Sequence, residues 1–199
     1  MSAVRVRHRP LLLGCTSQIC SALWRNAETA EKRMPTPAYW IDAPLKGRLA
    51  IMSRPRANDW LQDEISTWIA EGIDVIVSLL ESHEVLELEL AQESDFCREA
   101  GIKFVSFPVP DRGVPPSFSK TAELTRGLLS QIRRGKSVAI HRRAGIGRSA
   151  LMAGCVLVCA GIEASSAFDL IAAARGLKVP DTDAQIRWLR HFGDAQKNQ

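Results

Sequence analysis

No stretch of this chain is long and apolar enough to cross a bilayer. The run Ala153 to Ala160, interrupted only by Gly154 and preceded by Ala150-Leu151-Met152, falls far short of the roughly 20 residues a spanning helix needs. The bulk of the chain also lacks net charge. The formal +4 resides in residues 1–33, where Arg5, Arg7, Arg9, Arg25, Lys32 and Arg33 face only Glu28 and Glu31; over the remainder, basic and acidic side chains are equal in number. A neutral body argues against a nucleic-acid groove or a polybasic membrane face, both of which need clustered unpaired cations. Metal-ligand spacing is missing: His8, His83, His141 and His191 bear no ligand-like relation to one another or to cysteine, so no metal or other cofactor is expected. Leu11-Leu12-Leu13 before Gly14-Cys15 resembles an export signal only superficially, supplying three apolar residues where a signal core takes about 7–15, so export is not expected. With five cysteines, an odd count, the expectation is reduced thiols and a cytoplasmic protein. No repeat or low-complexity segment occurs.

What remains is 199 residues, 46% hydrophobic, enough for one well-buried core. Residues 1–33 show no sustained periodicity and read as a poorly ordered basic extension. The alternative is a short helix over residues 21–32 docked by Leu23 and Trp24. The domain is expected over 34–199. From Arg48 onward short apolar runs alternate with helical patterns. Strands are predicted at Leu49 to Met52, Val75 to Leu80, Ile102 to Val109 and Lys136 to His141. Helices are predicted from Asp59 to Gly72, with Trp60, Leu61, Ile65, Trp68 and Ile69 on one face, then over 82–92 and 94–100. Others start at Ser117 or Ser119 and run to Arg134, or cover Ser149 to Ala160, Glu163 to Arg175 and Thr182 to Phe192. The alternation predicts a single α/β domain with a central, mainly parallel sheet flanked by helices.

One segment concentrates chemistry: His141-Arg142-Arg143-Ala144-Gly145-Ile146-Gly147-Arg148-Ser149, between an apolar strand and an apolar helix. Gly145 and Gly147 let the backbone curl with N–H groups inward, and the following helix aims its positive end at the same point. The result is an anion cradle. Arg148 could add a bidentate guanidinium to a phosphate held by the backbone of Arg143, Ala144, Gly145, Ile146 and Gly147. A glycine-rich turn alone is weak evidence, since many such turns serve only packing; the Arg-Ser pair at the helix start strengthens it.

This segment resembles the phosphate-binding loop of the cysteine-dependent protein tyrosine and dual-specificity phosphatases, His-Cys-x-x-Gly-x-Gly-Arg-Ser, matching at His141, Gly145, Gly147, Arg148 and Ser149. Arg142 stands where that pattern has its nucleophilic cysteine. The resemblance runs from about Tyr39 to Phe192 and implies the compact dual-specificity fold. Pro108-Val109-Pro110-Asp111 with Gly113 and Pro115 is similar to the family's acid loop, which implies that Asp111 is the general acid. Gln185 is more loosely similar to a glutamine that positions the hydrolytic water. Arg54-Pro55-Arg56 and Asp59-Trp60-Leu61 look like the first strand and helix of small bacterial members. Each residue also has a plainer reading. Asp111 suits a turn, His141 suits a buried strand end, Ser149 could be only an N-cap, and Gln185 could be a helix-surface residue.

The resemblance implies a phosphorylated protein or small phosphomonoester as partner and no metal. The residue at 142 changes the implied chemistry. In the family a thiolate attacks phosphorus, whereas a guanidinium stays protonated and offers no usable lone pair. The cradle's positive field repels a cation, so Arg142 is expected to reach solvent or acidic residues, or to trap an anion with Arg143 and Arg148. Cys155 and Cys159 share a face of an apolar helix and read as core; Cys97 lies on a helix beside Arg98; Cys15 and Cys20 fall in the extension. The expectation is therefore a phosphatase-like domain without turnover. Three alternatives stand beside it: an active phosphomonoester hydrolase in which Arg142 is a one-base change from Cys, direct water attack assisted by Asp111 and Arg148, and a scaffold that no longer binds anions.

Overall fold

The computed structural model of the protein describes residues 35–144 and 147–197. The extension over residues 1–33, with Cys15 and Cys20, lies outside the described residues, as do Gly145 and Ile146. Five strands form one sheet in the order β1-β2-β5-β3-β4: β1 (Ala38–Ile41), β2 (Arg48–Ser53), β3 (Val75–Ser78), β4 (Lys103–Ser106) and β5 (Ser137–Arg142). Strand β1 is antiparallel to β2; all other pairs are parallel. Among the described residues seven α-helices cover the faces: α1 (Leu61–Ala70), α2 (Ser82–Glu87), α3 (Glu93–Glu99), α4 (Phe118–Arg133), α5 (Gly147–Cys159), α6 (Ala164–Arg175) and α7 (Asp183–Lys197). A single α/β domain with a mainly parallel sheet between helices is the expected fold class.

The three central strands are buried on both faces, and their side chains alternate between two cores as strand geometry requires. Leu49, Ile51, Val75, Val77, Val138 and Ile140 face the core shared with α4, α5, α6 and α7. Ala50, Met52, Ile76 and Ala139 face the smaller core containing Leu61, Ile65 and Trp68 of α1 and Cys97 of α3. Helix α5 is buried along nearly its whole length, which explains a sequence apolar on every side.

Several boundaries differ from expectation. Strand β1 was not anticipated; Tyr39 lies in it beneath the Arg175 guanidinium, 4.0 Å from the ring centroid. Helix α1 starts at Leu61 after a 3₁₀ turn over Asn58–Trp60, with no side-chain cap from Asp59. Its buried stripe is narrower than predicted, since Trp60 is 42% and Ile69 51% exposed. The helix expected over 82–92 stops at Glu87, where Glu89 adopts φ +56° and sends the chain back over buried Leu90. Strands β3 and β4 are shorter than their apolar runs because Leu79, Leu80, Phe107 and Val109 lie past the last ladder pairs, on the way into loops. Helix α5 begins two residues early, at Gly147. Among the described residues no helix is long and apolar enough to cross a membrane.

Candidate functional site

Strands β2, β3 and β5 run parallel and end together, with Ser53 paired to Arg142 and Ser78 to His141. The crevice outside the carboxyl ends of parallel strands is where open α/β sheets place ligands. Here the β5–α5 connection lies at that edge, and the loops after β3 and β4 converge on it.

Arg148 sits at the centre with its side chain fully buried. Its Nη1 and Nη2 donate in parallel to Glu84 Oε2 and Oε1, each at 2.7 Å, and Nη1 also donates to the Val109 carbonyl at 2.8 Å. Nη2 lies 3.1 Å from Asp111 Oδ1. Glu84 is aimed by the short helix α2, where it also accepts from the Glu81 amide at 3.0 Å in a capping box. Burial opposes charge on both partners, but the paired hydrogen bonds win. They hold Glu84 below the usual carboxylate range and raise Arg148 above its ordinary value. The Arg148 Nε, buried, has no hydrogen-bond partner among the described residues.

Arg142 ends β5 and takes the acidic option among those expected. Its Nη2 lies 3.1 Å from Asp181 Oδ2 and its Nη1 lies 3.6 Å from Asp111 Oδ1. Burial, reinforced by nearby Arg148, lowers its pKa against the opposing pull of Asp181 and Asp111. The Asp181 carboxylate also packs on the first residue of α5, where a Cβ on Gly147 would run into Oδ2 and Cγ. With Asp181 in this position only glycine fits there, so a larger residue would displace the carboxylate. Asp111 is mostly exposed, its side chain 59% accessible, on the loop after β4.

The remaining predicted residues divide. Arg143 turns outward to Glu87 of α2, with Nη1 3.0 Å from Oε2, so its guanidinium is not directed at Arg148. The Ala144 carbonyl accepts from Ser53 Oγ at 3.1 Å, tying the loop to the end of β2. Ser149 is buried, and its hydroxyl finds no partner among the described residues. His141 is buried with Nε2 2.9 Å from Glu93 Oε1, out of line for a hydrogen bond. Gln185 is fully buried rather than on the helix surface. Its Nε2 donates to the Gly113 carbonyl at 3.0 Å, linking α7 to the acid-loop segment. Cys155 is completely buried, which pushes its thiol up, and burial with Glu93 nearby raises Cys97 to about 12. Cys159 contacts Thr125 Oγ1 at 3.4 Å, away from the site.

Glu84 and Asp181 were missed from sequence. The available signal for Glu84 was an acidic residue one turn beyond a buried strand. For Asp181 it was an aspartate beside Gly147 only in space, a relation no local pattern contains.

A phosphatase-type α/β domain is the class these features define: a buried arginine at the start of a central helix, fed by a loop from the middle strand of a parallel sheet. The chain belongs to the family described as "Swiss Army Knife protein, DSP-PTPase phosphatase domain" (PTP-SAK), whose model matches residues 38–196. It is 28% identical over 200 residues to mouse "Protein tyrosine phosphatase domain-containing protein 1", covering 93% of this chain and 25% of that protein. It is 25% identical over 136 residues to rat "Cyclin-dependent kinase inhibitor 3", covering 67% of this chain and 64% of the relative. The chain thus spans about a quarter of the mouse relative and less than two thirds of the rat one. The crystal structure of kinase associated phosphatase with its catalytic-site cysteine substituted by serine superposes with a TM-score of 0.76 at 21% identity, covering 84% of this chain and 99% of that one. That likeness is one of fold.

Proposed function

We propose that this domain binds a phosphorylated protein or a small phosphomonoester at the β5–α5 loop and does not turn it over. One observation carries the reading: the side chain at the end of β5, where the family motif has its nucleophile, is a guanidinium held by Asp181 and Asp111. An arginine has no lone pair to offer phosphorus and remains charged. The described thiols give it no substitute, since Cys97 and Cys155 are buried in the two cores and Cys159 lies elsewhere. That the Ser149 hydroxyl has no partner among the described residues supports the same reading, because the resemblance implies a thiolate as the partner of this serine.

In this reading the backbone of 143–147 and the start of α5 hold the phosphate oxygens, Arg148 supplies charge, and Asp111 occupies the position of the acid with no leaving group to protonate. The purified chain is expected to release no phosphate from p-nitrophenyl phosphate or a phosphotyrosine peptide. Inorganic phosphate or vanadate is expected to raise its melting temperature, as a ligand of the folded state alone must. Hydrolysis at ordinary family rates overturns the proposal.

The preserved surroundings favour one second reading. Asp111, Arg148 and Ser149 all remain beside the loop, so a one-base change from cysteine to arginine in an otherwise active hydrolase fits them equally well. Resequencing the source DNA separates the two.

A further inference from the structure

Strand β4 ends the strand order, so among the described residues no strand pairs with its outer side. The amides of Lys103 and Phe107 donate to the carbonyls of Asp74 and Ser78 along the β3 ladder, which fixes the phase of the strand. By the alternation of strand geometry, the N–H and C=O groups of Phe104 and Ser106 then point away from the sheet. Such a row is a template for another strand. A hollow of about 480 Å³ lies beside this edge, lined by Lys103, Val105 and Phe107 and, on α4, by Glu123, Leu124 and Gly127. Gly127 sits in the middle of a sixteen-residue helix, where glycine is unfavourable, and a Cβ there would meet nothing within 4 Å. The packing of one chain gives no reason for this glycine; space kept for atoms from outside does. Lys103 and Glu123 line the same hollow without an ion-pair partner among the described residues.

We propose that the occupant is a second copy of this chain, its β4 laid antiparallel to the first about a two-fold axis at Val105. The edge is self-complementary in backbone, in charge and in apolar surface. Phe104 and Ser106 lie symmetrically about Val105, so Phe104 of each copy stands opposite Ser106 of the other, and every outward N–H finds a carbonyl. Lys103 falls opposite Phe107 of the second copy, where its ammonium can rest on the ring. Helix α4 returns from the loop after β4 to the start of β5, antiparallel to the strands, so Glu123 lies toward the Phe107 end of its hollow. The two-fold axis carries that carboxylate to the Lys103 end of the first copy and gives both charges the partner they lack. Lys120, one turn earlier on α4, is farther from the axis. Val105 meets Val105 of the second copy as the close, non-hydrogen-bonded pair, and the two hollows join into one apolar seam. Because the sheets meet antiparallel, the crevices at their carboxyl edges open on opposite sides and neither is blocked. The inference is independent of phosphate binding.

The test follows the full chain by sedimentation equilibrium over a dilution series, with hydrogen exchange read at single amides. A dimer is expected. As concentration rises, exchange at Phe104 and Ser106 should slow, while Val105, already bonded to β3, keeps its rate. Ser106→Pro removes an outward donor without touching the β3 ladder and is expected to weaken the dimer about tenfold or more, since the symmetry doubles each loss. Lys103→Glu and Glu123→Lys should each weaken it about tenfold as both symmetric pairs become repulsive. Combined, they should recover most of the affinity, a rescue that misfolding cannot imitate. Melting temperatures in dilute solution verify that each variant folds. A chain monomeric at every concentration would overturn the proposal and leave the edge to a strand of another protein. A dimer indifferent to Ser106→Pro and to both charge reversals would overturn it equally, by placing the contact elsewhere.

Discussion

Arg148 and Glu84 are joined by two parallel hydrogen bonds of 2.7 Å inside the protein, sixty-four residues apart in the chain. Neither helix α2 nor helix α5 could keep its end of the pair alone, because each charge is stripped of water. Removing one partner leaves the other buried and uncompensated, a far larger cost than losing a surface ion pair. Glu84→Ala is therefore expected to destabilise the fold by about 3–5 kcal/mol, measured by urea denaturation.

The same pair makes stability depend on acid. Glu84 titrates below its ordinary 4.5 because the hydrogen bonds from Arg148 and the Glu81 amide outweigh the effect of burial. On lowering the pH the unfolded chain takes up this proton first. The contribution is complete above pH 4.5 and is lost as the pH falls through the lower folded-state value. Stability measured from pH 6 down to 3 should fall less steeply in Glu84→Gln than in the native protein. An unchanged acid limb would assign that loss to other carboxylates.

Arg142→Cys places a thiol at the start of the loop leading into the N-terminus of α5, whose positive end favours a thiolate. This change alone is expected to create measurable p-nitrophenyl phosphate hydrolysis. On that background Asp111→Ala should lower kcat by about 10²–10⁴, the usual worth of a general acid. No gain in this variant would mean that the site departs from an active one at more than a single residue.

Gln185 connects α7 to the segment carrying Asp111 through its hydrogen bond to Gly113. Gln185→Leu removes one buried donor worth about 1 kcal/mol. Amide exchange over residues 111–114 should then accelerate about fivefold, with the β5 amides unchanged. Equal acceleration throughout the domain would indicate global destabilisation instead.

Thiol reactivity should follow burial. Cys155 and Cys97, the latter at about 12, are expected to resist iodoacetamide at pH 8 in the folded protein, and Cys159 to be modified ahead of both. Peptide mass spectrometry reads this residue by residue. Rapid labelling of Cys155 would contradict its complete burial.

Much of this architecture was legible along the chain because it depends on periodicity. The apolar segments within residues 49–52, 75–80 and 136–141 describe strands buried on both faces, and the glycine-bearing turn into an apolar helix locates the loop at the sheet's carboxyl edge. Local pattern was less informative at element ends. Trp60 and Ile69 belong to an apolar stripe in sequence yet are exposed, since Trp60 lies in the 3₁₀ turn before α1 and Ile69 at the border of the face that Leu61, Glu64, Ile65 and Trp68 bury.

The sequence by itself determined which side chain stands at the head of the loop: position 142 is arginine, and no folding can lend it a lone pair. Only the tertiary structure decided what that cation meets. Asp181 and Asp111 lie 39 and 31 positions away along the chain, and Glu84 is 64 positions from Arg148. They converge because parallel strands deliver separate loops to one edge of the sheet. Ion pairs act over a few ångströms of space, and sequence separation carries no record of that distance.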